Sequence, residues 1–341
     1  MSQVRCHVVS PKSRLTRLDT LDEALGSWRA GKVIWIDVEA PERADLEALA
    51  EPLGIHPLAV EDCLDEDQLP KIEEFPSYTF VIFNAFRYEA GSLAILEIDA
   101  FVGKGFLVTV HREPAAFAGL EAALAADHAD PGRGADMVLH RVLDFVVDRK
   151  LAAIEAVQDE IDAAEDGILE SIGTFRPQDL LRLRRHLLSL RKSLFHEREI
   201  LVRICRRDSP FVSEKAVFHF RDVYDHLVRY FELTEIAREM ISNLMEMYLS
   251  MLNNRMTAIA NRTNQVMRRL TFIMTVFMPL TLLAGIGGMS EWTMMTGPEN
   301  WRIAYPAFLL LMVALGVVSY LLLRWIDRRT APSLPDGSTA A

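Results

Sequence analysis

The chain has 341 residues, half of them hydrophobic and a quarter charged, with a formal net charge of −11. That balance suits a polar body joined to a small membrane part rather than a many-spanning protein, argues against a general nucleic-acid binder, and is compatible with attracting cations. Cys6, Cys63 and Cys205 lie far apart and form neither a CxxC pair nor a disulfide framework, so a reducing cytoplasm is the natural setting.

The opening stretch MSQVRCHVVSPKSRLTRLD lacks an apolar core of signal-peptide length, and the first residues are expected to stay in the cytoplasm. Residues 32–40 (KVIWIDVEA), 78–86 (YTFVIFNAF) and 100–110 (AFVGKGFLVTV) read as strands, rich in β-branched and aromatic residues and bounded by turn residues. Residues 41–54 and 111–126 read as helices. Residues 1–135 are therefore expected to form an α/β or α+β domain, with DHADPGRGAD (127–136) as a loop and boundary. The acidic run EDCLDED (61–67) reads as a structural turn, with metal binding as the alternative its composition allows.

From residue 136 to 269 the texture is helical. No glycine occurs between Gly173 and Gly285, and Phe211 to Met278 is a run of 68 residues without glycine or proline. As one helix it would be on the order of 100 Å long, a stalk that runs directly into an apolar segment. NRMTAIA (254–260) is followed by NRTNQVM (261–267), an echo at the spacing of seven that keeps one helical stripe against neighbouring helices. Charge is segregated as well: residues 151–175 carry acids and no Lys or Arg, whereas 176–215 are mainly basic. Neighbouring antiparallel helices that pair through these faces account for the pattern. A cation-attracting acidic surface and a basic collar near lipid headgroups are the sharper readings.

Residues 270–290 and 303–323 are each 21 residues long and free of charge, enough to cross a bilayer. Arg262, Arg268 and Arg269 precede the first segment, and Arg324, Arg328 and Arg329 follow the second. The connecting residues 291–302 carry Glu291, Glu299 and Arg302. By the positive-inside rule both termini, including the tail 324–341, are cytoplasmic and the loop faces out. The first segment ends in AGIGGMSEW (284–292), where glycines allow backbones to approach closely. A two-span chain encloses no path alone, which favours a homo-oligomer packed around an axis. Metal-ligand spacings such as HExxH, phosphate loops and nucleophile elbows are absent, so the chain does not read as an enzyme and no cofactor is expected.

RRLTFIMTVFMPLTLLAGIGGMSEW (268–292), FRDVYDH (220–226), MYLSMLNNRM (247–256) and HPLAVEDCLDEDQLPKIEEFPSYTFVIF (56–83) resemble segments of the CorA family of divalent-cation channels and transporters. The resemblance implies a homopentamer in the cell (inner) membrane: an α/β cytoplasmic domain, a funnel of long helices, a first span that lines the pore and a second that surrounds it. It also implies a path through Asn264, Met267, Leu270, Met274, Met278, Thr281 and Ser290, whose members from Asn264 to Thr281 fall within roughly 120° of one another on an ideal helix. Polar rings at Asn264, Thr281 and Ser290 would handle hydrated cations, and the apolar rings between them would form a constriction that can dewet. Pro279 would leave the Thr275 carbonyl without its helical donor.

The family's Gly-Met-Asn mouth is here Gly288, Met289 and Ser290, a shorter hydroxyl in place of an amide. Glu291 and Glu299 would concentrate cations outside it. Asp222 matches a regulatory position at which the family binds Mg2+ between subunits, and Glu89 is its candidate acidic partner. The expected cargo is Mg2+, with Co2+ or Ni2+ as further ions, driven by the ion gradient and membrane potential. A proton-coupled Zn2+ transporter of the ZntB branch and a non-conducting membrane sensor or scaffold are the alternatives.

Overall fold

In β3 (Val33–Glu39) the sequence alternates Ile34, Ile36 and Val38 with Trp35 and Asp37, so the two sets point to opposite faces of a sheet. All five are buried, which places the strand in the middle of a layered domain. The computed structural model describes residues 2–9, 15–65, 68–126, 134–288, 297 and 299–330. Among them, β3 joins β1 (Gln3–Val9), β2 (Leu15–Leu18), β4 (Lys71–Glu74), β5 (Tyr78–Glu89), β6 (Ser92–Gly103) and β7 (Phe106–His111) in one sheet, ordered β2-β1-β3-β7-β6-β5-β4. The β3–β7 pair is parallel, with Ile36 opposite Val108, and every other pair is antiparallel.

One sheet face is covered by three short helices. The first, α1 (Leu21–Arg29), starts at Thr20, whose hydroxyl accepts from the Glu23 amide. Next, α2 (Arg43–Leu53) begins with a capping box between Glu42 and Asp45. Then α3 (Pro57–Leu64) places proline in its first turn, where no backbone donor is needed. Their Leu25, Leu46, Leu49, Val60 and Cys63 pack on Ile36, Val38, Phe80, Ile82 and Val108. The opposite face receives α5 (Ala135–Glu170), which packs on β3, β5, β6 and β7.

The expected strand over 100–110 is two strands. A turn at Lys104 and Gly105 separates β6 from β7; Gly105 has φ +80°, in the left-handed region that favours glycine, and the Trp28 indole donates to the Lys104 carbonyl at 3.0 Å. The expected helix over 111–126 is also divided. It opens with the end of β7, passes through a short 3-10 turn at Pro114–Ala116, and becomes helical only in α4 (Leu120–Ala126). Residues 127–133 of the expected boundary loop lie outside the described residues. The acidic run 61–67 starts as the last turn of α3, and the two carboxylate oxygens of Asp62 accept from Gln68 and Lys71; residues 66 and 67 lie outside the described residues.

Three long helices follow: α5, α6 (Pro177–Cys205) and α7 (Glu214–Gly287). The charge segregation between the first two is resolved in part by pairing, since Arg182 of α6 meets Glu160 of α5 at 3.0 Å. A buried cluster ties these helices to the sheet. Lys150 of α5 binds Glu197 of α6, and both side chains are fully buried. Glu197 also accepts from the Asn84 amide of β5 at 3.0 Å, and the Lys150 ammonium lies 4.3 Å from the Phe83 ring centroid.

The first part of α7 buries Phe220, Val223, Leu227, Tyr230, Thr234, Ala237, Ile241 and Leu244, in steps of three and four. This is the seven-residue repeat of a helix packed against other helices. Tyr248 adds a ring contact to Phe175 in the turn between α5 and α6, with centroids 5.6 Å apart. Beyond Leu244 no residue of α7 is buried. The chain divides accordingly into two compact units, Met1–Leu249 and Ser250–Ala341. The second unit holds the rest of α7 together with α8 (Trp301–Thr330).

Candidate ion path and regulatory residues

The second half of α7 is helical because nothing interrupts it: Pro279 is its one proline, and the helix continues through that residue to Gly287. Asn264, Met267, Leu270, Met274, Met278 and Thr281 are all exposed within the single chain, with Met278 at 65% and Met267 at 57%. Two apolar segments, one within α7 and the other at Arg302–Ile326, are long enough to cross a membrane, and neither buries its most apolar stretch inside the chain. Among the described residues, none covers this stripe of methionine and leucine enough to bury it.

Hydroxyls along the stripe are oriented in a way that the residue type alone does not reveal. Thr281 donates to the Phe277 carbonyl, Thr275 to the Thr271 carbonyl and Thr271 to the Met267 carbonyl, at 2.8 to 2.9 Å. A hydroxyl whose proton is committed to its own helix turns its lone pairs outward as an acceptor. Thr271 falls inside the same arc as the expected path residues, and sequence reasoning missed it. Pro279 lacks the amide that would bind the Thr275 carbonyl, which adds an acceptor one turn earlier.

The glycines at the end of α7 divide by role. A Cβ at Gly287 would stand 2.6 Å from the ring of Phe308, so this glycine lets α8 pack against α7 within one chain. Gly285 has open space where a Cβ would be, and Gly288 meets only carbonyls of its own helix. Met289, Ser290 and Glu291 lie outside the described residues. Glu299 is exposed, beside a turn in which the Asn300 amide donates to the Gly297 carbonyl.

In the first unit, Asp222 lies on α7 with its side chain 76% exposed, 4.0 Å from the His226 ring nitrogen one turn on. Across from it His140 of α5 meets His219, with ring centroids 5.2 Å apart. Burial, and then the neighbouring His219, lower the His140 pKa to about 4, so it stays neutral near neutral pH. Glu89 ends β5 with its side chain 74% exposed and 3.9 Å from Arg87. No group of three His, Cys, Asp or Glu side chains has metal-holding geometry among the described residues.

Comparison with known proteins supplies the context for this arrangement. A family described as CorA-like Mg2+ transporter protein matches residues 30–328. The cobalt/magnesium transport protein CorA of Thermotoga maritima is 33% identical over 301 residues, which are 83% of this chain and 80% of the relative. The complete structure of the CorA magnesium transporter from Methanocaldococcus jannaschii superposes with a TM-score of 0.73 at 23% identity, over 96% of this chain and 98% of that one. The cytoplasmic domain of ZntB from Vibrio parahaemolyticus shares the fold, with a TM-score of 0.58 at 13% identity over 73% of this chain and 98% of that domain. A match over nearly the whole length, through the sheet, the long helix and both apolar segments, shows that the chain belongs to the CorA-like Mg2+ transporter family.

Proposed function

We propose that the chain is one subunit of a homo-oligomeric, pentameric channel or transporter for divalent cations in the inner membrane, with Mg2+ as its main cargo. The carrying observation, in a chain of this family, is the change along α7. Its seven-residue seam is covered up to Leu244, while the stripe from Asn264 to Thr281 stays exposed among the described residues. Residues 270–290 line the path, 303–323 surround it, 291–302 face outward, and both termini with the tail 324–341 are cytoplasmic, as the flanking arginines favour. Residues 1–135 and 136–269 form the cytoplasmic domain and the stalk.

Mg2+ keeps its waters tightly, so outward-facing hydroxyl and amide acceptors can pass it without a cage of carboxylates. Asn264, Thr271 and Thr281 supply such acceptors, Ser290 with Gly288 and Met289 forms the mouth, and Met267, Leu270, Met274 and Met278 form the apolar constriction between them. Glu291 and Glu299 raise the local cation concentration outside. The gradient and the membrane potential drive flux without nucleotide hydrolysis.

The test is ion flux into vesicles holding the purified protein, comparing Mg2+ with Zn2+ and with Co2+, with and without a pH gradient. Mg2+ entry indifferent to the pH gradient is the expected result. Zn2+ entry that follows the proton gradient would replace this reading with a proton-coupled zinc transporter, and absence of any flux would leave a membrane sensor.

A further inference from the structure

Between α7 and α8, inside the second unit, lies a cleft of about 490 Å3, within the size range of small-molecule sites. Phe272, Ile273 and Val276 line it from one helix, and Tyr320, Leu323 and Arg324 from the other. Its position follows from the charge pattern of the sequence. The uncharged run of α7 begins directly after Arg268 and Arg269, and that of α8 ends directly before Arg324. The cleft thus spans the boundary between hydrocarbon and headgroups at one membrane face. The Arg268 guanidinium lies 5.7 Å from the centroid of the Phe272 ring, which brings a second cation to a lining residue.

Acids are scarce around it. Residues 250–290 contain no Asp or Glu, and residues 324–330 have one acid, Asp327, among Arg324, Arg328 and Arg329. No carboxylate lines the cleft. An aromatic and aliphatic floor with a guanidinium at its wet end matches a molecule with an acyl chain and a negatively charged phosphate, and basic pockets between membrane helices recognise such headgroups.

We propose that this cleft holds an anionic phospholipid, with one acyl chain between α7 and α8 and its phosphate on Arg324. The inference rests on the membrane-spanning reading above, and it adds a lipid requirement that the ion path alone does not contain. A zwitterionic lipid would leave Arg324 without a net countercharge. A helix of a second copy would have to bring an acid of its own to the same place, and neither apolar segment contains one.

The test uses full-length protein reconstituted in vesicles of equal phosphatidylglycerol and phosphatidylcholine, then extracted, with the retained lipid identified by mass spectrometry. Phosphatidylglycerol should be enriched, and Arg324→Gln should lower the enrichment by about fivefold, the factor expected for one basic residue at an anionic surface. Arg328→Gln, which removes a charge from the same sequence flank, should leave the enrichment unchanged. Val276→Trp, which fills the cleft, should lower retention of lipid altogether. Equal retention of the two lipids, or an Arg328→Gln effect as large as that of Arg324→Gln, would overturn the proposal. So would an intersubunit disulfide between Val276→Cys and Leu323→Cys formed at high yield, since a second copy would then occupy the cleft. Ion flux read on the same vesicles separates the two readings: enrichment without flux keeps the lipid site and removes the channel, whereas failure to enter vesicles removes both.

Discussion

Lys150 and Glu197 form a fully buried ion pair in the first unit, and they join three elements, α5, α6 and β5. Burial lowers the Lys150 pKa to about 8 against the pull of Glu197, and burial raises that of Glu197 against the pull of Lys150. Removing one partner strands the other charge away from water. Lys150→Met should therefore cost about 3–5 kcal/mol in denaturant unfolding, and adding Glu197→Leu should recover most of that loss. A single variant as stable as the parent would mean that the pair is not charged in the fold. Nothing in the sequence marks either residue, because Lys150 is one charge among many on an amphipathic helix and its partner lies 47 positions away. Local patterning reads neighbours at three and four positions, and a pair made by tertiary packing leaves no such trace.

At the scale of elements, the long helix and both apolar segments were legible because each has a strong one-dimensional signal: absence of glycine and proline, or absence of charge. Strand β3 was legible through its β-branched residues and the turn residues that flank it, and α2 falls inside the expected helix 41–54. Boundaries inside 100–126 were not, since a turn of Lys104 and Gly105 inside an apolar run looks like part of the strand until Trp28 is seen to hold it. The glycine cluster at the end of α7 was recognised as a place of close approach, yet the partner of Gly287 is Phe308 of the same chain. Gly287→Val should press on that ring and cost about 1–3 kcal/mol, read as a lower thermal midpoint in detergent. Phe308→Ala in the same chain should restore part of it; no change in the single variant would place the two helices apart.

For the whole molecule, the regulation implied by the resemblance would pair Asp222 with Glu89 across a subunit boundary. Asp222 and Glu89 are both mostly exposed, each with a modest contact on its own element. If they bridge subunits through Mg2+, adding Mg2+ to the full-length protein should slow its digestion by trypsin, and Asp222→Asn or Glu89→Gln should abolish the protection while leaving the oligomer intact. Protection that persists in both variants would remove these residues from the regulatory site. The sequence alone could nominate Asp222 by resemblance, but a site divided between copies would leave no signature in one chain. The same limit applies to the proposed ion path, whose expected residues form a stripe on α7, while the orientation of the Thr281 and Thr271 hydroxyls came only from the hydrogen bonds.

The sheet order has a temporal consequence. Its central pair, β3 and β7, joins residues 33–39 to 106–111, and the Glu197 that reaches β5 comes later still. At about 5–20 residues per second, a ribosome needs roughly 10–50 s to make Met1–Leu249, all of it ahead of the first apolar segment. During synthesis, every residue of this unit's core is therefore made before the first apolar segment, which gives the unit time to close that core ahead of the membrane part.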